Sequence, residues 1–165
     1  RDHSGKFEKA NKGTLFLDEI ADMSLNAQAK VLRALEENKI QKIGSSKDIS
    51  VDVRVIAATN KNLNEEIKKG KFREDLYHRL AVILIEVPAL NMRKDDIPVL
   101  ANYFLESISE DQGVEIKTFS GKALQKLVKY SWTGNVRELR NVIERLIILG
   151  DNPITEKNID QFAIK

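Results

Sequence analysis

The chain has 165 residues, 42% of them apolar and 32% charged, and a formal net charge of +2. That length fits one domain or a domain with a small satellite, the composition argues against disorder, and +2 is too small to imply nucleic-acid binding by itself. The lack of cysteine excludes disulfides and thiolate metal sites and permits a cytosolic reading, while no apolar run approaches a membrane span. The first eight residues, Arg1 to Glu8, are charged, unlike a signal peptide, and read as beginning in mid-phrase.

Gly13 to Ile20 (GTLFLDEI) opens the ordered reading. Its short apolar centre predicts a strand over 14–18 buried on both faces. Ser24 caps a predicted helix over 24–38, with Ala27, Val31, Ala34 and Leu35 on one stripe. Lys39 to Asp52 reads as a hairpin or irregular insertion around Gly44-Ser45-Ser46-Lys47-Asp48. Val51, Val53 and Val55 alternate and Ile56-Ala57-Ala58 run on, predicting a second buried strand, 52–58, that ends at Thr59-Asn60. Short helices are expected over 62–69 and 72–80, then a nearly all-apolar third strand over 81–87, stopped by Pro88. Beyond Pro88 the texture becomes helical. One helix is capped by Asp95 or Asp96, with Pro98 in its opening turn and Ile97, Leu100, Ala101, Phe104, Leu105 and Ile108 on one face. Others start at Ser120 and near Asn135, and Thr155 caps a last short one. A boundary falls near 89–93.

Two carboxylates at the carboxyl end of a buried strand are costly unless compensated, and in an open α/β sheet that edge is where ligands bind. Mg²⁺ on a nucleotide compensates them economically, with Asp18 toward the metal's water shell and Glu19 polarising a water, the shape of a Walker B segment. Thr59-Asn60 ends the second strand at the same edge, where it can hold a water or a terminal phosphate oxygen; alone, the pair reads first as an ordinary turn. FREDLYHRL (72–80) carries Arg73 and Arg79 six residues apart, so on an ideal helix they diverge by about 120°. They converge on one anion only if Arg73 sits at the helix entrance; the plain alternative is ion pairing with Glu74 and Asp75. Arg137, in WTGNVREL (132–139), falls in a first helical turn, where a cation opposes the dipole and implies an anionic partner, phosphate or carboxylate. Trp132 reads as core, and His3 and His78 as surface residues. Gly-Lys occurs at 5–6, 70–71 and 121–122, never followed by Ser or Thr, so the phosphate-cradling loop is missing and the chain holds half a nucleotide site.

Taken in order, GTLFLDEI, DVRVIAATN (52–60), FREDLYHRL and WTGNVREL resemble the central ATPase domain of bacterial sigma-54-dependent transcription activators, the enhancer-binding proteins of the AAA+ class. The resemblance covers essentially the whole chain. It implies an α/β fold: a partial AAA+ P-loop NTPase core from Walker B onward (1–90), followed by a small all-helical lid (91–165). It implies ATP and Mg²⁺ as ligands, with Asp18 organising Mg²⁺ through water and Glu19 polarising the attacking water. Thr59 and Asn60 resemble sensor I, Arg73 and Arg79 the arginines that reach a neighbouring subunit's nucleotide, and Arg137 the sensor II arginine of the lid. Ile40 to Val51 resembles the hairpin inserted before the sensor I strand, and Lys12 stands where the family usually has a second glycine. The implied partners are sigma-54 RNA polymerase through an upstream loop, further copies in a ring, and DNA through a separate domain, in the cytoplasm and without a membrane.

The same resemblance places Walker A and the sigma-contacting loop upstream, so the chain alone is expected to be inactive. The three predicted strands become the third, fourth and fifth of a sheet ordered 5-1-4-3-2, with another strand between the last two. The helical part is then the expected autonomous unit and the α/β half the marginal one. Two alternatives remain: another AAA+ machine with an inserted hairpin, such as a helicase loader or chelatase subunit, whose lid is not expected to carry WTGNVREL, and a non-enzymatic helical DNA-binding module over 120–149. Against the second, Arg137, Arg140 and Arg145 are balanced by Glu138 and Glu144.

Overall fold

The computed structural model describes residues 5–41 and 47–163. His3 and Gly44-Ser45-Ser46 of the predicted hairpin lie outside the described residues. The chain divides into two compact units, Arg1–Ile85 and Glu86–Lys165. In chain order the first contains α1 (Lys6–Lys9), β1 (Gly13–Leu17), α2 (Leu25–Glu37), β2 (Lys39–Gln41), β3 (Asp48–Ser50), β4 (Val53–Ala57), α3 (Leu63–Lys68) and α4 (Glu74–Leu80).

β1 and β4 pair in parallel, from Gly13 opposite Val53 to Leu17 opposite Ala57. Their entrances are stitched together. The Lys12 N–H donates to the Asp52 carbonyl at 2.6 Å, and the Asp52 N–H donates to Asn11 Oδ1 at 2.8 Å. Lys12 makes its bond from the left-handed region, at φ +61°, which is why glycine suits this position better. Past the strands the ladder continues, with Ala58 N–H to Leu17 C=O at 2.9 Å and Ile20 N–H to Ala58 C=O at 3.0 Å. Both strands therefore deliver their following residues to one edge. Ser24 Oγ accepts from the Ala27 N–H and starts α2 as expected, while Asn38, at φ +52°, ends it. β2 and β3 form the antiparallel hairpin, tied to α2 by Arg33, which bonds both Glu37 and Asp48. Leu17, Ile20, Val31, Leu32, Phe72 and Leu76 make the core of this unit.

Three sequence expectations fail here. Residues 81–87 are not a strand: among the described residues the sheets are β1 with β4 and β2 with β3, and Val82, Ile83, Leu84 and Ile85 are exposed. Apolar, β-branched composition supplies the tendency to extend, but a strand exists only where a neighbour takes its N–H and C=O groups. For the same reason β1 is not buried on both faces, with Phe16 at 58% exposure, and neither is β4, with Ile56 at 45%.

The second unit holds α5 (Asp96–Gln112), α6 (Gly121–Lys129), α7 (Asn135–Leu149) and α8 (Glu156–Asn158), preceded by a 3₁₀ turn at Leu90–Met92 and followed by a π-helical turn at Ile159–Ala163. Its core joins Leu90, Ile97, Ala101, Leu105 and Ile108 to Leu127, Trp132, Leu139, Ile143 and Leu146. Ser120 Oγ caps α6 through the Ala123 N–H at 3.2 Å, whereas Asp95 stands before α5 without a side-chain cap. Trp132 is core, as expected, with its indole N–H on the Leu127 carbonyl at 2.9 Å. Lys117 Nζ donates to the carbonyls of Ile147 and Gly150, a cation set on the carboxyl end of α7, where the helix dipole favours it. Thr155 and Asn158 join at the start of α8. No helix among the described residues is long and apolar enough to cross a membrane.

Candidate functional site

Leu17 is the last residue of β1 and the next two are Asp18 and Glu19, so the chain turns at the carboxylates. Glu19 sits at φ +49°, ψ +51°, a left-handed conformation uncommon for a residue with a side chain. Strain of this kind persists where surrounding bonds over-determine it. Two such bonds are present: the Glu19 N–H donates to Asp18 Oδ1 at 3.1 Å, and Glu19 Oε2 accepts from the Asn60 N–H at 3.2 Å. The second spans the two strands. It joins Asp18-Glu19 to Thr59-Asn60 at the shared edge, as the strand ends required.

Thr59 Oγ1 accepts from the Lys61 N–H at 3.2 Å, which closes a turn directly after the strand. The Lys61 ammonium then reaches Asp22, in the 3₁₀ turn at Ile20–Asp22, and that carboxylate raises its pKa above the ordinary lysine value. This Asp22–Lys61 tie went unread in the sequence, where neither residue has a distinguishing context. Asp18 is exposed, and one of its oxygens is engaged by the Glu19 N–H, which leaves the other to solvent. Among the described residues no group of three His, Asp or Glu side chains could hold a metal ion.

Arg73 stands at the N-cap of α4, the helix entrance its convergence with Arg79 required. Its guanidinium lies against Asp75 through two bonds, at 3.0 and 2.6 Å. The pair raises the Arg73 pKa and, chiefly through that hydrogen bond, holds the Asp75 carboxyl below the usual carboxylate range. The Asp75 pairing read from the sequence is therefore present; the one with Glu74 is not, since Glu74 faces His78 at 3.9 Å on the exposed side of the helix. Arg79 leans on α2, donating to the Leu35 carbonyl at 2.9 Å. Neither arginine bonds Asp18, Glu19, Thr59 or Asn60.

In the second unit Arg137 lies in the first turn of α7, exposed. The carboxylate of that turn, Glu138, is engaged elsewhere: it accepts from the Gly134 N–H at 2.8 Å and from the Tyr130 hydroxyl at 3.4 Å. The apolar face of α7, Leu139, Val142, Ile143, Leu146 and Ile147, is spent in the core, and of its basic residues Arg140 pairs with Glu144 and Arg145 donates to the Phe162 carbonyl. This leaves little of a phosphate-binding face for the DNA-binding alternative.

The family model described as "Sigma-54 interaction domain" matches residues 1–86, and the one described as "AAA+ ATPase lid domain" matches residues 91–162. Transcriptional regulatory protein ZraR of Salmonella typhimurium is 50% identical over 145 residues, covering 88% of this chain and 33% of that protein. Nitrogen assimilation regulatory protein NtrX of Azorhizobium caulinodans is 50% identical over 155 residues, 93% of this chain and 34% of the relative. Among solved structures, NtrX from Brucella abortus in complex with ATP aligns with a TM-score of 0.88 at 43% identity, over 93% of this chain and 36% of that one. The chain thus spans about a third of the length of the relatives it matches. With its paired parallel strands, its carboxylates at their shared edge and its helical second unit, the chain belongs to the sigma-54 interaction domain family of AAA+ ATPases, lid included.

Proposed function

We propose that the chain is the Walker B-to-lid portion of an ATP-hydrolysing AAA+ domain that remodels sigma-54 RNA polymerase holoenzyme to activate transcription in the cytoplasm. One observation carries the reading: the Glu19 carboxylate is anchored on the Asn60 N–H, which gathers an acid pair and a polar pair at the ligand-binding edge of two parallel strands. In it, Glu19 orients the attacking water and takes its proton, and Asn60 and Thr59 fix that water or a terminal phosphate oxygen. The free oxygen of Asp18 fits the water shell of Mg²⁺, which keeps several waters and needs only one or two carboxylates besides the phosphates. Mg²⁺, when bound with ATP, neutralises charge on the phosphates. Arg73 and Arg79 act on a neighbouring subunit's nucleotide in a ring, and the unpaired Arg137 of the lid meets the phosphates of its own. The complex of the Brucella abortus relative with ATP supports the choice of nucleotide. Contact with sigma-54 is assigned to a loop upstream of these residues, and DNA contact to a separate domain. Because no Gly-Lys here is followed by Ser or Thr, the chain alone lacks the phosphate cradle and is expected not to turn over ATP.

Mixing subunits of the complete protein tests the reading. Glu19→Gln and Arg73→Ala subunits, each inactive alone and each shown to assemble, are expected to restore ATP hydrolysis to one another. An arginine supplied in trans is worth about 10³–10⁵-fold in rate in GTPases, so the recovery is large. No recovery at any ratio would remove the inter-subunit role.

A further inference from the structure

Gln28 is the one polar residue on the buried side of α2, fully inaccessible between Val31, Leu32 and the segment that precedes α4. Its amide is used in both directions. Nε2 donates to the Met23 carbonyl at 2.8 Å and to the Lys71 carbonyl at 3.0 Å, and Oε1 accepts from the Arg73 N–H at 2.9 Å. Met23 closes the 3₁₀ turn that begins immediately after Glu19; Lys71 and Arg73 bracket the entrance of α4. One side chain thus ties the segment after the Walker B carboxylates to the backbone from which Arg73 extends.

The tie matters because the N–H of Arg73, the N-cap residue of α4, has Gln28 Oε1 as its partner. Phe72 and Leu76 are buried on either side of it, at 3% and 0% exposure. Between two packed anchors and one hydrogen bond, the base of the Arg73 arm has a fixed place, while its guanidinium projects to the half-exposed surface. A charge meant for another subunit's transition state needs that fixed base, since a misplacement of about 1 Å costs roughly 10²-fold in rate.

We infer that Gln28 is a positioning residue for Arg73, one that locks the arginine arm in register with the Glu19 turn of the same subunit; the inference rests on the inter-subunit role proposed for Arg73. It makes three demands of the complete protein. Gln28→Met, which keeps volume and loses the amide, lowers kcat by about 10–100-fold with the KM for ATP little changed. Added to Arg73→Ala, it costs no further rate. Mixed with Glu19→Gln subunits, it recovers activity as Arg73→Ala does, because the intact arm then comes from the Glu19→Gln subunit.

Parallel mixtures separate the two levels. If Arg73→Ala complements Glu19→Gln but Gln28→Met does not, Gln28 acts on the Glu19 side or on folding alone, and this inference is wrong while the proposed function stands. If neither complements, the inter-subunit role falls and takes this inference with it. Should Gln28→Met fail to assemble, an exchange measurement on the wild-type protein decides. Hydrogen exchange in the wild-type protein gives a readout independent of activity. The Arg73 amide is expected to exchange slowly, and to speed up in the Gln28→Met protein more than the Leu76 and Tyr77 amides of the same helix. A fast-exchanging Arg73 amide in the wild type would overturn the inference whatever the variants do.

Discussion

Residues 86–165 gather Trp132, Leu139, Ile143, Leu146, Ile154 and Ile159 in one core at 0% to 1% exposure, whereas residues 1–85 leave Val82, Ile83, Leu84 and Ile85 at 70% to 83%. The two stretches are similarly rich in apolar residues, and what separates them is how their elements satisfy the backbone. A helix closes its own hydrogen bonds, so α5, α6 and α7 need only bring their apolar stripes together. A strand takes its bonds from neighbours, and among the described residues β1 and β4 have only each other as sheet partners. An unpaired apolar run is then a template for association, and Val82 to Ile85 is such a run.

The comparison breaks most readily at Trp132. Removing a fully buried indole that also holds the Leu127 carbonyl is expected to destabilise the helical unit by about 3–5 kcal/mol. Urea unfolding of Trp132→Ala, followed by far-ultraviolet circular dichroism, measures it. A cost under about 1 kcal/mol would mean that the helical core is not the close-packed body described, given what such truncations cost elsewhere.

Gly150→Ala probes the same unit at the carboxyl end of α7. A Cβ at Gly150 would stand 2.6 Å from the Leu146 carbonyl oxygen, so the end of α7 must shift. The expected loss is about 1–3 kcal/mol, read from the same unfolding curves.

The α/β unit offers a change of opposite sign. Lys12 holds φ +61° at the joint between β1 and β4, a conformation that costs a residue with a Cβ about 1–2 kcal/mol. Lys12→Gly is expected to recover part of that, about 0.5–1 kcal/mol after the added chain entropy of glycine, and only in residues 1–85. Thermal unfolding resolved by residue-specific probes would show it. Equal stabilisation of both units would deny that they unfold separately.

The smallest expected effect is electrostatic. Arg73 holds the Asp75 carboxyl below its usual range, so the pair contributes above the ordinary aspartate pKa of about 3.9 and fades as pH falls through the depressed native value. Asp75→Asn is expected to lower stability slightly at neutral pH, since the pair is half exposed, and to converge on the wild type below about pH 4, which flattens the acid limb of the stability curve by that same small amount.

Much of this was legible in the residues. Ser24 and Ser120 announced their helices, the spacing of Ile97, Ala101, Leu105 and Ile108 announced the buried face of α5, and two strands ending in polar pairs announced a shared edge. Residues 81–87 misled because composition reports a tendency to extend and not the presence of a partner. Leu32 and Gln28 were left off the buried face of α2, where Ala27 and Leu35 were preferred. Gln28 had a usable signal, since it lies three and four residues before Val31 and Leu32, so a polar side chain there must find buried partners. The left-handed turn at Lys12 had a hint in the glycine expected there, whereas the one at Glu19 had none, because it is held by a bond to Asn60, some forty positions away.

Hydrogen exchange on the isolated, monomeric chain tests the central contrast most directly. Amides in the middle of α5 and α7 are expected to exchange only through global opening of the helical unit, while those of Val82 to Val87 exchange at nearly unprotected rates and those of β1 and β4 fall between. Equal, slow exchange in Val82 to Val87 and in α5 and α7 would contradict the account.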